Sequence, residues 1–100
     1  MLILIPLNCD DIQVAEISPL TDVKKWGLIT LEEGQIVEIK LYDQREEIQG
    51  WIDCVIVKSE KEYVWPFMEE NIAVLVAHTQ NSIDEIVEAF LFKELHEVMM

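Results

Sequence analysis

The sequence predicts a single three-layer α/β domain over residues 1–100, a five-stranded mixed sheet with helices on both faces. Three observations carry that expectation. Ile52-Asp53-Cys54-Val55-Ile56-Val57 and Ile72-Ala73-Val74-Leu75-Val76-Ala77 are apolar without alternation, as expected of strands covered on both sides. The intervening segment, about fourteen residues, suits the crossover that a parallel pair requires and is far too long for a tight hairpin. Finally, Ser82-Ile83-Asp84-Glu85 has the spacing of a capping box and opens a run with helical period.

The remaining elements follow in order. Residues 2–7 form an apolar first strand, and Pro6 near its end removes a donor and marks where pairing stops. Asn8-Cys9-Asp10-Asp11 is then a loop at that strand's C-terminal end. Ser18-Pro19 reads as a helix start, with Ser18 the N-cap and Leu20 and Val23 turned inward. Residues 26–32 and 35–42 form a hairpin turning at Glu33-Gly34. In its second arm Val37, Ile39 and Leu41 share one face, while Glu38 and Lys40 share the other. Residues 43–50 make a polar turn or short helix stopped by Gly50.

In the crossover, Pro66 starts or kinks a helix, because inside one it would break a hydrogen bond. Tyr63 with Phe67, and Val64 with Met68, would pack as a stripe over the sheet. Asn71 closes that helix, since it tolerates a left-handed backbone. The last helix carries Ile83, Ile86, Val87, Phe90, Leu91, Leu95 and Val98 on one stripe, with His96 in its final turns beside the negative end of the helix dipole. Phe92 falls opposite that stripe with Met99 near it, so Phe92 is a candidate subunit contact, together with Trp65 of the crossover.

Composition narrows the function classes. Twenty acidic residues against seven basic ones leave a net charge of −13, which repels nucleic-acid phosphates and anionic lipid. The acidity reads as a solvated surface. Two cysteines are too few for a disulfide scaffold, and Cys54 lies in an apolar strand as a small buried side chain. The apolar run at the N-terminus lacks a basic region before it and is too short for a signal peptide or a membrane span, so a cytoplasmic protein is expected.

Ligands of open α/β sheets gather beyond the carboxyl ends of the strands. The loops expected there bring Cys9, Asp10, His78 and Thr79 to one rim, with Lys58 nearby. Cys9 and His78 are soft or borderline donors suited to zinc, iron or a metal–sulfur cluster, although no CxxC or HxxxH spacing supports a closed zinc site. The metal signal is weak, and the ordinary reading of the same residues is satisfied loop polar groups. No glycine-rich phosphate loop and no GxSxG turn is present, and nothing near Cys9 or His78 supplies an oxyanion hole, so an enzyme is not expected.

Several runs resemble the dinitrogenase iron–molybdenum cofactor-binding family, the small nitrogenase-accessory domains. Met1-Leu2-Ile3-Leu4-Ile5-Pro6-Leu7 is similar to the family's opening strand, and Trp26-Gly27-Leu28-Ile29-Thr30-Leu31-Glu32-Glu33-Gly34-Gln35-Ile36 to its hairpin. Asp53-Cys54-Val55-Ile56-Val57 resembles the strand before the family's glycine-rich loop, and Ser82-Ile83-Asp84-Glu85 its last helix start. The resemblance implies an RNase H-like sheet and a non-catalytic carrier of an iron–sulfur or iron–molybdenum cluster, with Cys9 and His78 as ligands and Asp10 and Thr79 beside them. Two departures imply an alternative. Lys58-Ser59-Glu60-Lys61 stands where the family has Gly-Gly-x-Gly, and no arginine precedes the hairpin. The alternative is a relative that has lost the cofactor site and acts through a protein partner or as a homo-oligomer.

Overall fold

The structure is a computed structural model and describes residues 1–98. Leu2–Leu7 forms β1, Lys25–Glu32 β2, Gln35–Tyr42 β3, Cys54–Val57 β4, Ala73–Val76 β5 and His96–Glu97 β6. The helices are Trp65–Glu69 (α1) and Ile83–Leu91 (α2), with 3-10 turns at Leu20–Asp22 and Arg45–Glu47. The strands lie in the order β3-β2-β1-β4-β5-β6. β1, β4 and β5 run parallel, the hairpin pairs antiparallel with β1, and β6 pairs antiparallel with β5.

The continuously apolar strands are therefore the middle of the sheet, each face covered by its own core. Ile3, Ile5, Leu7, Ile29, Cys54 and Ile56 point to one face, where Ala15, Ile17, Ile83, Ile86 and Val87 cover them. Leu4, Leu28, Val55, Val57, Val74 and Val76 point to the other, under Val64 and Phe67 with Leu20, Ile48 and Met68. This alternation sends successive residues to opposite faces, and an all-apolar strand can satisfy both.

The sheet has six strands rather than five because α2 ends earlier than its apolar period suggests. Lys93 adopts a left-handed backbone (φ 58°). Its N–H donates to the Phe90 carbonyl, and the Glu94 N–H to the Ala89 carbonyl at 2.9 Å. Those two bonds make a Schellman closure with lysine where glycine is usual. The chain then leaves as β6, so His96 belongs to a strand and not to the helix's last turns. Leu95 and Val98, three apart, fit a helical stripe in the sequence, yet they pack against opposite faces of the sheet. Met99 lies outside the described residues.

Four other expectations are corrected. Ser18 caps no helix: its N–H donates to the Pro6 carbonyl at 2.9 Å, and only a 3-10 turn with Pro19 at its N-cap follows. In β3 the register shifts between Thr30 and Leu31, whose partners are Glu38 and Ile36. Val37 is the extra residue of that bulge and points to solvent, so Ile36, Ile39 and Leu41 make the inward face. Tyr63 precedes α1 and is exposed, so it does not stack over Phe67 on a stripe. Pro6 ends pairing only towards β4; against β2 the ladder continues through Leu7.

Other local signals hold. Glu33 and Gly34 both have positive φ, as a two-residue hairpin turn demands. Pro66 sits in the first turn of α1, and Asn71 takes the left-handed conformation (φ 62°) just past its end.

The capping box of α2 is fully formed. The Ser82 hydroxyl accepts the Glu85 N–H, and the Glu85 carboxylate accepts the N–H groups of Ser82 and Asn81. The Ser82 amide, then its hydroxyl, then the Asn81 amide hold the Glu85 carboxyl below its ordinary value of 4.5. A carboxyl depressed in the folded state contributes stability above its unfolded pKa and loses it as pH falls through the folded one. Wild type should therefore lose its advantage over Glu85→Gln as pH drops from about 4.5 downward. Urea midpoints of the two proteins across that range measure it, and a constant difference would contradict it. Comparison with the variant is needed because protonating the other carboxylates relieves self-repulsion in so acidic a chain.

Candidate functional site

Parallel β1, β4 and β5 end at one rim, and the loops beyond them are residues 8–11, 58–62 and 78–81. A strap, residues 11–18, stitches the first of these to the third. The Asn8 N–H donates to the Glu16 carbonyl at 3.0 Å, while the Asn8 side-chain oxygen accepts the Glu16 N–H at 2.9 Å. The Ile17 N–H donates to the Asn81 carbonyl at 2.9 Å, and isolated bridges join Ile17 to Leu7 and Glu16 to Ser82. Ala15 and Ile17 are thereby pressed into the α2-side core.

Cys9 is half-buried against that core, and its thiol donates to the Asp11 carbonyl at 3.7 Å. Asp10 and Thr79 are exposed. His78 is also exposed and turns towards the sheet edge, where its ring centroid lies 6.2 Å from that of His96. Cys9 and His78 thus share the rim but have different neighbours. Among the described residues no three His, Cys, Asp or Glu side chains are gathered closely enough to hold a metal ion.

The loop after β4 is closed by its own side chain. The Glu62 carboxylate accepts the N–H groups of Lys58 at 2.9 Å, Ser59 at 3.2 Å and, from the distant 3-10 turn, Leu20. The Ser59 hydroxyl accepts the Lys61 N–H at 3.1 Å. Amides gathered in a turn form a natural anion site, and here the anion is internal. Sequence reasoning missed Glu62, although Ser59-Glu60-Lys61-Glu62 repeats the S-x-x-E spacing recognised at Ser82.

Beside the rim, on the α1 face, a cavity of about 440 Å³ opens among Leu20, Trp26, Arg45, Tyr63, Pro66 and Phe67. The Arg45 guanidinium lies 4.6 Å above the Phe67 ring and pairs with Glu70, tying the 3-10 turn to α1. Trp65 and Phe92 are exposed by 45% and 70%, on helices that cover opposite faces of the sheet, so they cannot form one continuous patch. A smaller cavity is bounded by Leu75, Phe90, Leu91, Lys93, Leu95 and Glu97, and Phe92 does not line it.

The two cysteines differ in burial, Cys9 being partly accessible and Cys54 enclosed. Burial, and secondarily the Asp53 carboxylate, push the Cys54 thiol up to about 12. A thiol-specific reagent at pH 8 should therefore label one cysteine in the folded protein and both in denaturant. Mass spectrometry should place the folded-state label on Cys9; a label on Cys54 would contradict the burial argument.

No described helix is long and apolar enough to cross a membrane. No family model matches the chain, and neither does any curated protein. Solved structures do match it. The crystal structure of PH0822 superposes with a TM-score of 0.75 at 12% identity, covering 98% of this chain and 96% of that one. A protein from Methanocaldococcus jannaschii, mj0327, described provisionally as a dinitrogenase, superposes with a TM-score of 0.70 at 18% identity, covering 98% and 94%. At such identities the likeness shows a shared fold: a small α/β domain built on a mixed sheet, over almost the whole of each chain.

Proposed function

We propose that this chain is a non-catalytic binding domain related to the iron–molybdenum cofactor-binding proteins, with their RNase H-like sheet, and that it works in the cytoplasm through protein contacts rather than by cradling a cofactor. The fold shared with mj0327 supports the first half of this reading. The observation that carries the second is Glu62. Where a glycine-rich loop would offer bare amides to an anionic cluster, this loop's amides are already held by a carboxylate of the same chain. The residues of that loop do not fit such a group. The absence of catalysis belongs to the same proposal, since the Cys9 thiol bonds to a backbone carbonyl and not to an imidazole that could deprotonate it.

One observation favours a second reading, carriage of a metal–sulfur cluster at the rim: Cys9 is a free, partly accessible thiol with His78 on the same edge. Anaerobic reconstitution with iron and sulfide separates the two. The first reading expects the same visible absorption for wild type as for the Cys9→Ser, His78→Ala double variant. Cluster absorption lost in the double variant would establish the second. For protein contacts, sedimentation of Phe92→Glu should give a smaller species than wild type, and an unchanged mass would remove Phe92 from the interface.

A further inference from the structure

We propose that Glu60, His78 and His96 form a binding site for a borderline divalent cation of the zinc class, at the corner where β5, β6 and the loop after β4 meet. The site is independent of the protein-contact reading, since it uses neither Cys9 nor the Glu62 latch, and it shares only His78 with the cluster-carrying one. Its basis is how the fold brings three distant side chains together. β6 pairs antiparallel with β5 so that His96 lies opposite Val76, and His78 follows Val76 by two residues. The two imidazoles consequently stand side by side, centroids 6.2 Å apart and tilted by 42°. Glu60 reaches the same corner, its Oε2 3.8 Å from the His96 Nε2.

These donor types suit the ion. Neutral imidazole nitrogen suits zinc, nickel and copper and not calcium or magnesium, which take oxygen donors; zinc accepts a carboxylate oxygen beside the imidazoles. Two imidazoles sharing one tetrahedral ion at about 2.0–2.1 Å place their centroids about 5 Å apart, so the present 6.2 Å must close by about 1 Å for both to ligate. The three groups have not converged to ligating distances in the structure, in keeping with the absence of a three-ligand cluster among the described residues. All three residues are exposed. Exposed side chains change rotamer in picoseconds to nanoseconds, which lets these three swing towards a shared ion. Two nitrogens and one oxygen leave a fourth position for water, an open site and not a closed structural one. The net charge of −13 raises the local concentration of cations around the whole molecule. Because the ligands come from β6 and from β5's exit, occupancy would also fasten the short edge strand to the sheet.

The test uses the untagged full chain and zinc chloride, by calorimetry and by NMR of the imidazole nitrogens. Wild type should take up one zinc saturably, with ring-nitrogen shifts at both His78 and His96 and a raised melting temperature. His96→Ala and His78→Ala should each weaken binding by about tenfold or more, Glu60→Gln by less, and Cys9→Ser not at all. Since the altered positions are exposed, far-ultraviolet circular dichroism should show each variant folded. No saturable uptake up to about 1 mM zinc would overturn the site, as would uptake that survives both histidine variants or is lost with Cys9.

Discussion

Ile5→Ala is expected to remove about 2–5 kcal/mol of stability, a large share of the roughly 5–15 kcal/mol that holds a domain of this size together. Ile5 is wholly buried in β1, opposite Gly27 of β2, and its side chain belongs to the α2-side core. Strand order makes the position unusually exposed to damage. β1 is the strand that joins the antiparallel hairpin to parallel β4 and β5, so a cavity there loosens both halves of the sheet at once. The cost has two parts: lost transfer of the removed methyl groups out of water, and lost contacts around a space that tightly packed neighbours fill only partly. Ile5→Val removes a single methylene and should cost about 0.5–1.5 kcal/mol. Exposed Ile12 supplies the control, since Ile12→Ala should change little. Urea unfolding of the three variants measures the ordering, provided the slopes agree. Equal losses for Ile5→Ala and Ile12→Ala would refute the account of β1 as the centre of the fold.

The middle of this sheet was legible because its signal is local and strong. Residues 54–57 are apolar and buried on both faces, as a place between two layers requires. Residues 73–76 are equally apolar, but only Val74 and Val76 are fully buried, with Leu75 half-buried and Ala73 exposed. The hairpin turn at Glu33-Gly34 and the box at Ser82 and Glu85 were equally visible, since each needs a specific residue type at a fixed offset. What escaped was set by tertiary contact. Nothing near Val37 announces a bulge, because the bulge is a property of pairing with Thr30 and Leu31. Lys93 gives no stop signal, since a glycine is the usual one; the helical period therefore seemed to run on, hiding β6 and misplacing His96. Ser18 has every local mark of an N-cap, but its amide is spent on the Pro6 carbonyl once the strap folds over the rim. The rim itself was foreseen from strand direction. The partners of Cys9, His78 and Glu62 were not, because they depend on where loops from separate parts of the chain come to rest.

Glu62→Ala should cost about 2–3 kcal/mol, more than removing any other exposed or half-exposed charge in the chain. Three amides donate to this one carboxylate, two from its own loop and one from Leu20, forty-two residues away in sequence. A hydrogen bond to a charged acceptor contributes more than a neutral one, and the Leu20 amide is partly buried, so water replaces the lost partner incompletely. By contrast, the surface pair of Lys40 and Glu38, 3.8 Å apart with both side chains more than half exposed, should be worth little. Glu62→Gln keeps an acceptor but loses the charge, and should fall between wild type and Glu62→Ala. The alanine variant also leaves a vacancy of known chemistry, a ring of unpaired amides shaped for one carboxylate. Formate or acetate should therefore raise the melting temperature of Glu62→Ala in a saturable way while leaving wild type unmoved at matched ionic strength. If neither anion discriminates between the two proteins, the amides are not a preformed anion site. Glu62 would then be an ordinary loop contact and not an internal ligand of an anion site, whatever the reconstitution with iron and sulfide reveals about Cys9.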